Sequence, residues 1–117
     1  PQSPYGYHKL LSENICSEFR KLYNLPILIV RPFSVYGDSL KKQVLWDTCS
    51  KLLSQDSIQV SGTGDESRDF IHIKDVVRII DLLILHSKFD GDIYNIGNGE
   101  EVTIKSLPST TKFFLSL

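Results

Sequence analysis

Apolar residues recur every three or four positions near the start of the chain, at Leu11, Ile15, Phe19 and Leu22, with polar residues between them. That period predicts a helix over about Pro4–Tyr23 with those four side chains as its buried stripe. Ser3 suits the N-cap and Pro4 the first helical position, while Asn24 and Pro26 end the pattern. An unbroken apolar run, Ile27-Leu28-Ile29-Val30, follows at once. A short run of this kind reads as a strand covered on both faces, as in a parallel sheet. Helix and then buried strand is half of a βαβ unit, so the chain is expected to be α/β.

Arg31 to Asp38 reads as a loop with turn residues. Helical spacing returns over roughly Leu40 to Ser54, with Val44, Leu45, Cys49, Leu52 and Leu53 inward. Ile58-Gln59-Val60 is a short strand, Ser61 to Glu66 a polar loop, and Arg68 to Ile73 extended. Asp75 is expected to cap a third helix, about Val76 to Ser87, whose apolar face holds Val76, Ile79, Ile80, Leu83 and Ile84. Ile93 to Ile96 is a strand, Asn98-Gly99 a turn, and Val102 to Ile104 a short strand. Ser106 to Leu117 has no clear period.

Composition narrows the function. The 117 residues are 41% hydrophobic and 23% charged, which suits one small domain or part of a larger one. A formal net charge of -1 gives no reason to expect nucleic acid or an anionic membrane as partner. The longest apolar runs, Ile27–Val30 and Leu82–Leu85, are too short to span a bilayer. Cys16 and Cys49 are isolated in helical patterns and read as buried thiols of a reducing, cytoplasmic setting rather than a disulfide or metal site. The chain holds no Met and opens on Pro1, so it is expected to be a fragment, a processed piece or an incomplete reading frame.

Candidate chemistry gathers at Ser3-Pro4-Tyr5-Gly6-Tyr7-His8-Lys9. Tyr5 and Lys9 are four apart at the first turn of a helix, so phenol and ammonium share one face. A phenol of ordinary pKa, about 10, is a poor base at neutral pH. A nearby ammonium and the positive end of the helix dipole both favour the phenolate, which makes a general base able to take a proton from an alcohol. Other motifs fail. Gly62-Thr63-Gly64 and Gly97-Asn98-Gly99 lack the third glycine of a dinucleotide loop and the helix that should follow it. Asp69 and His72 fall on opposite faces of a strand and do not make a metal site with Asp75.

Four stretches then line up in order: Pro4-Tyr5-Gly6-Tyr7-His8-Lys9, Arg31-Pro32-Phe33-Ser34-Val35-Tyr36-Gly37, Gly62-Thr63-Gly64-Asp65 with Arg68-Asp69-Phe70-Ile71-His72-Ile73-Lys74-Asp75-Val76, and Tyr94-Asn95-Ile96-Gly97. Together they resemble the extended short-chain dehydrogenase/reductases, in particular the NAD-dependent epimerase/dehydratase family that acts on nucleotide sugars. The resemblance implies an α/β fold, part of a doubly wound Rossmann-type parallel sheet plus a small C-terminal substrate lobe, with the N-terminal half missing. Residues 1–38 would end the NAD-binding domain, 39–105 would form the substrate lobe with a returning strand, and 106–117 an atypical tail. It also implies roles. Tyr5 and Lys9 would be catalytic and, with Pro32 and Phe33, would meet the NAD, which is expected over NADP. Ser34, Arg68 and Asn95 would bind the nucleotide-diphosphate sugar, Arg68 gripping the diphosphate as a planar cation suits. The bland alternatives are a salt bridge of Arg68 with Asp65 or Asp69, and a strand-end turn for Asn95.

The implied reaction is tyrosine-base hydride-transfer chemistry on a sugar hydroxyl. Three departures stand against the family pattern: the glycine-rich loop and the active-site Ser or Thr upstream of the tyrosine are missing, and Ser34 stands where many members carry Asn. A fourth is the tail from Ser106, which departs from the helix the family would place there. Family members often pair as homodimers through the helix that carries the tyrosine and its neighbour; that neighbour is missing here, which leaves the oligomeric state open. The chain alone is expected to be inactive. The alternatives are a non-catalytic binding or regulatory relative of the same fold and a functionless truncated fragment.

Overall fold

A computed structural model describes residues 3–54 and 63–108. In order these form α1 (Pro4–Tyr23), β1 (Ile27–Pro32), β2 (Ser34–Tyr36), α2 (Gln43–Ser54), β3 (Ser67–His72), α3 (Ile73–His86), β4 (Asp90–Ile96), β5 (Glu101–Thr103) and a 3-10 turn at Ile104–Ser106. The chain divides into two compact units. One takes in the residues up to Arg31 together with Ile79–Ile96; the other takes in Pro32–Arg78 and the residues from Gly97 on.

In the first unit β1 pairs with β4. The local signals that start and stop α1 work as expected. The Ser3 hydroxyl accepts the Gly6 N–H at 3.2 Å, and Asn24 leaves the helix in the left-handed region at φ 50°. The orientation of α1 is the reverse of the one expected. Leu11, Ile15, Phe19 and Leu22 are between 49% and 70% exposed, and no residue of the helix is buried. Its half-covered positions are instead Gly6, Glu13, Cys16 and Arg20. Two contacts explain this: Glu13 is paired with Arg31 of β1, and the Arg20 side chain lies against Gly91 of β4. Among the described residues nothing covers the apolar stripe. The run Ile27–Val30 is half-buried rather than sealed on both faces.

In the second unit the sheet order is β2-β3-β5, with β2 parallel to β3 and β5 antiparallel to it. Register sets Ser34 beside Phe70, Val35 beside Ile71, and Arg68 beside Val102. The expected loop from Arg31 to Asp38 is therefore largely strand, because β3 supplies partners for Ser34–Tyr36. Helix α2 begins at Gln43, three residues later than its apolar period suggests, and Leu53 faces water at 75% exposure while Thr48 is buried. Ile71, Val76 and Leu107 are the buried core here, and Ile96 that of the first unit.

Helix α3 starts directly at the end of β3, so Asp75 is not its cap but lies within the first turn, where a carboxylate still suits the helix dipole. The capping role falls to His72, whose Nδ1 accepts the Lys74 N–H at 3.1 Å. Ile84 is exposed, while Ile79, Ile80 and Leu83 are half-buried. The strand expected at Ile58–Val60 lies outside the described residues, as does the tail beyond residue 108; Leu107, just before it, is buried.

Candidate functional site

Tyr5 and Lys9 come together on the first turns of α1. Lys9 Nζ lies 5.3 Å from the centroid of the Tyr5 ring, over its face, and Tyr5 is 70% exposed. Tyr7 stands two residues from each member of this pair, and Tyr7 and His8 are both exposed. One turn further, Glu13 holds Arg31 in a two-pronged pair: Nε donates to Oε1 at 2.7 Å and Nη2 to Oε2 at 2.6 Å. The Arg31 guanidinium holds the Glu13 carboxyl below the usual carboxylate range, and Glu13 in turn raises Arg31. Asn95 belongs to the same unit. It is an exposed residue inside β4, one before its end, and not a turn residue.

Pro32, Phe33, Ser34 and Arg68 belong to the second unit. Phe33, 50% exposed, sits between β1 and β2 with its ring against Gly97. Ser34 is half-buried in β2. Arg68 is exposed near the start of β3, and neither expected partner pairs with it. Asp65 is engaged by Lys105 at 2.5 Å, and Asp69 accepts the N–H groups of Asn98 at 2.8 Å and Gly99 at 2.9 Å. Among the described residues the Arg68 side chain donates to its neighbour's carbonyl alone, Nη1 to Ser67 O at 3.1 Å, which leaves most of a planar five-donor group without a partner there.

Asp69 is a residue that sequence reasoning missed as an organiser. Its carboxylate clamps the Gly97–Gly99 turn onto β3, and Gly97 lies so close to Asp69 and Phe33 that a Cβ has no room. The partners are 29 and 30 residues apart, beyond the reach of any local signal. The clamp also explains physically why Gly97-Asn98-Gly99 is no phosphate loop, since the amides it would offer are already donated to Asp69. Thr63-Gly64 is likewise a turn before a strand, with the Gly64 carbonyl accepting the Lys105 N–H at 2.9 Å. Asp69 and His72 serve these separate backbone groups and do not converge.

A cavity of about 550 Å³ opens in the second unit. Val35, Trp46, Cys49, Phe70 and Leu107 give it apolar walls, and Asp38 and Lys42 also line it. Tyr36 and His72 meet edge to face there, their ring centroids 5.1 Å apart. Cys16 and Cys49 are both half-buried free thiols. No helix among the described residues is long and apolar enough to cross a membrane.

Comparison with known proteins fits this α/β framework. The model of the NAD dependent epimerase/dehydratase family matches residues 1–97, and the chain belongs to that family. It is 33% identical over 110 residues to an uncharacterised UDP-glucose epimerase of Bacillus subtilis, covering 93% of this chain and 35% of that one. It is 30% identical over 108 residues to the human dTDP-D-glucose 4,6-dehydratase, covering 92% and 31%. Among solved structures, a mutant UDP-glucuronic acid 4-epimerase of Bacillus cereus, in complex with a fluorinated UDP-sugar and NAD, superposes with a TM-score of 0.90 at 28% identity. That match covers all of this chain and 38% of the other. A Streptomyces venezuelae dTDP-glucose 4,6-dehydratase with NAD bound gives 0.87 at 27% identity, covering 99% and 36%. The chain thus spans about a third of the length of the curated relatives it matches.

Proposed function

We infer that this chain is part of an NAD-dependent nucleotide-sugar epimerase or dehydratase and carries its tyrosine base. The observation that supports this most is the Tyr5–Lys9 pair: a phenol open to a ligand, with an ammonium over its ring, at the N-terminus of a helix. In this reading Tyr5 takes the proton from a sugar hydroxyl, and Lys9 supplies the positive charge that favours the phenolate. NAD, when bound, accepts and returns a hydride, the step no side chain can perform. Only one end of that cofactor finds a fit among these residues. In this reading Tyr5, Lys9, Pro32 and Phe33 are assigned to the nicotinamide end, as the family resemblance implies. No glycine-rich turn leading into a helix is present for the pyrophosphate.

Arg68 binds the substrate's diphosphate in this reading, supported by a guanidinium without a carboxylate partner among the described residues. Ser34 and Asn95 are assigned to the sugar and phosphate side. Residues 1–38 then complete an NAD-binding domain and 39–105 a substrate lobe, with UDP- or dTDP-sugars as the substrate class that the relatives suggest. The test is to assay the enzyme containing this chain with UDP- and dTDP-hexoses and NAD, following products by chromatography. A new epimer or a dehydrated keto sugar that disappears in Tyr5→Phe is expected. Binding of a nucleotide sugar with no conversion of any would overturn the enzymatic reading in favour of a binding relative.

A further inference from the structure

Tyr5, Lys9 and Glu13 lie four residues apart on α1 and form one stripe of the helix. Lys9 therefore has two neighbours that can attract its ammonium, the Tyr5 ring one turn before it and the Glu13 carboxylate one turn after. On an exposed helix surface an ion pair at this spacing and a cation–ring contact are of comparable strength. Yet Lys9 lies over Tyr5. The other carboxylate of α1, Glu18, is already paired with Lys21 at 3.2 Å.

What separates Glu13 from Lys9 is Arg31. Its guanidinium takes both carboxylate oxygens, at 2.7 and 2.6 Å. A planar fork of this kind outcompetes a single flexible ammonium for a carboxylate. The Glu13 side chain is only 17% exposed as a result, although Arg31 remains 46% exposed. We propose that Arg31 and Glu13 are positioning residues for the Tyr5–Lys9 pair: Arg31 occupies the Glu13 carboxylate and so keeps it from drawing Lys9 off the Tyr5 ring. Neither touches the reacting atoms. The catalytic consequence rests on the reading of Tyr5 as the base; the placement of Lys9 does not.

A purely structural role for the pair orders the variants differently. If the pair only ties α1 to β1, Arg31→Ala and the double variant Arg31→Ala/Glu13→Gln lose the same tie and behave alike. If Arg31 sequesters a competing charge, Arg31→Ala frees that charge and the added Glu13→Gln removes it. The first readout is NMR of the enzyme containing this chain, with labelled lysine and with Lys9 identified through Lys9→Arg. The Tyr5 ring current moves the Lys9 ε-methylene protons upfield, and Tyr5→Ser gives the unshifted reference. Arg31→Ala is expected to lose most of this displacement, the double variant to regain it, and Glu13→Gln alone to keep it. In the enzyme containing this chain, Arg31→Ala is expected to lower kcat by about tenfold with little change in KM, and the double variant to recover most of that loss. A full displacement in Arg31→Ala, or none in the double variant or in Glu13→Gln, overturns the proposal. If the NMR order holds while turnover ignores it, the positioning stands and the reading of Tyr5 as base falls.

Discussion

Gly97 shows how much one absent methyl group can hold in place. A Cβ there would lie 2.5 Å from the Phe33 ring and would collide with the Asp69 carboxylate. The glycine is needed for space, so Gly97→Ala must push Phe33 aside or open the Asp69 clamp. A loss of about 1 to 3 kcal/mol, the usual cost of overpacking, is expected from urea unfolding. An unchanged midpoint would mean that the turn yields freely. Tyr5 and Arg68 carry predictions about chemistry. In the enzyme containing this chain, Tyr5→Phe is expected to abolish turnover and leave NAD binding nearly intact, because in the proposed reading the hydroxyl takes the proton while the ring that Lys9 lies over is kept. Turnover within about tenfold of wild type, a barrier change of about 1.4 kcal/mol, would sink the base assignment. Arg68→Ala is expected to weaken nucleotide-sugar binding by about 1.5 to 3 kcal/mol, the range for a hydrogen bond to a charged group, with NAD affinity unchanged. Equal substrate affinity by calorimetry would reduce Arg68 to a surface cation, one with neither Asp65 nor Asp69 as its partner.

At the scale of elements, the ends of α1 were legible in the sequence and its orientation was not. Ser3 and Asn24 act within one turn of the backbone they cap, so local chemistry suffices. Which face turns inward depends on partners. Here Arg31 and Gly91 draw the polar side, Glu13 and Arg20, onto β1 and β4. Strand β2 was missed because three residues show no period, and only the distant β3 makes them a strand. The closeness of Tyr5 and Lys9 followed from helical spacing alone, whereas the Asp69 clamp joins segments no local pattern connects. The Glu13–Arg31 pair also ties stability to pH. Its folded carboxyl lies below the unfolded value, so its contribution is full above that value and fades as pH falls through the folded one. The urea midpoint of wild type should therefore drop more steeply on acidification below about pH 4.5 than that of Glu13→Gln. Parallel curves for the two would show that the pair contributes nothing measurable, as many exposed pairs do.

At the scale of the whole chain, two observations meet. The sequence spans about a third of its relatives' length, and the apolar stripe of α1 faces outward with nothing among the described residues to cover it. A helix with that face exposed and a two-stranded sheet beside it invite association. The 117 residues expressed alone are expected to be poorly soluble. They are also expected neither to bind NAD measurably nor to convert any nucleotide sugar. A dinucleotide is held chiefly at its pyrophosphate, by a glycine-rich turn and the amides of the helix that follows. Neither glycine pair of this chain can supply that: the Asn98 and Gly99 amides are donated to Asp69, and Gly64 leads into β3. Tyr5 and Lys9 would grip one end and leave most of the cofactor in water. The measurement is an NAD titration by calorimetry on monodisperse chain, with nucleotide-sugar turnover followed in parallel. A dissociation constant in the micromolar range, or any turnover, would falsify the claim that the pyrophosphate site lies outside these residues.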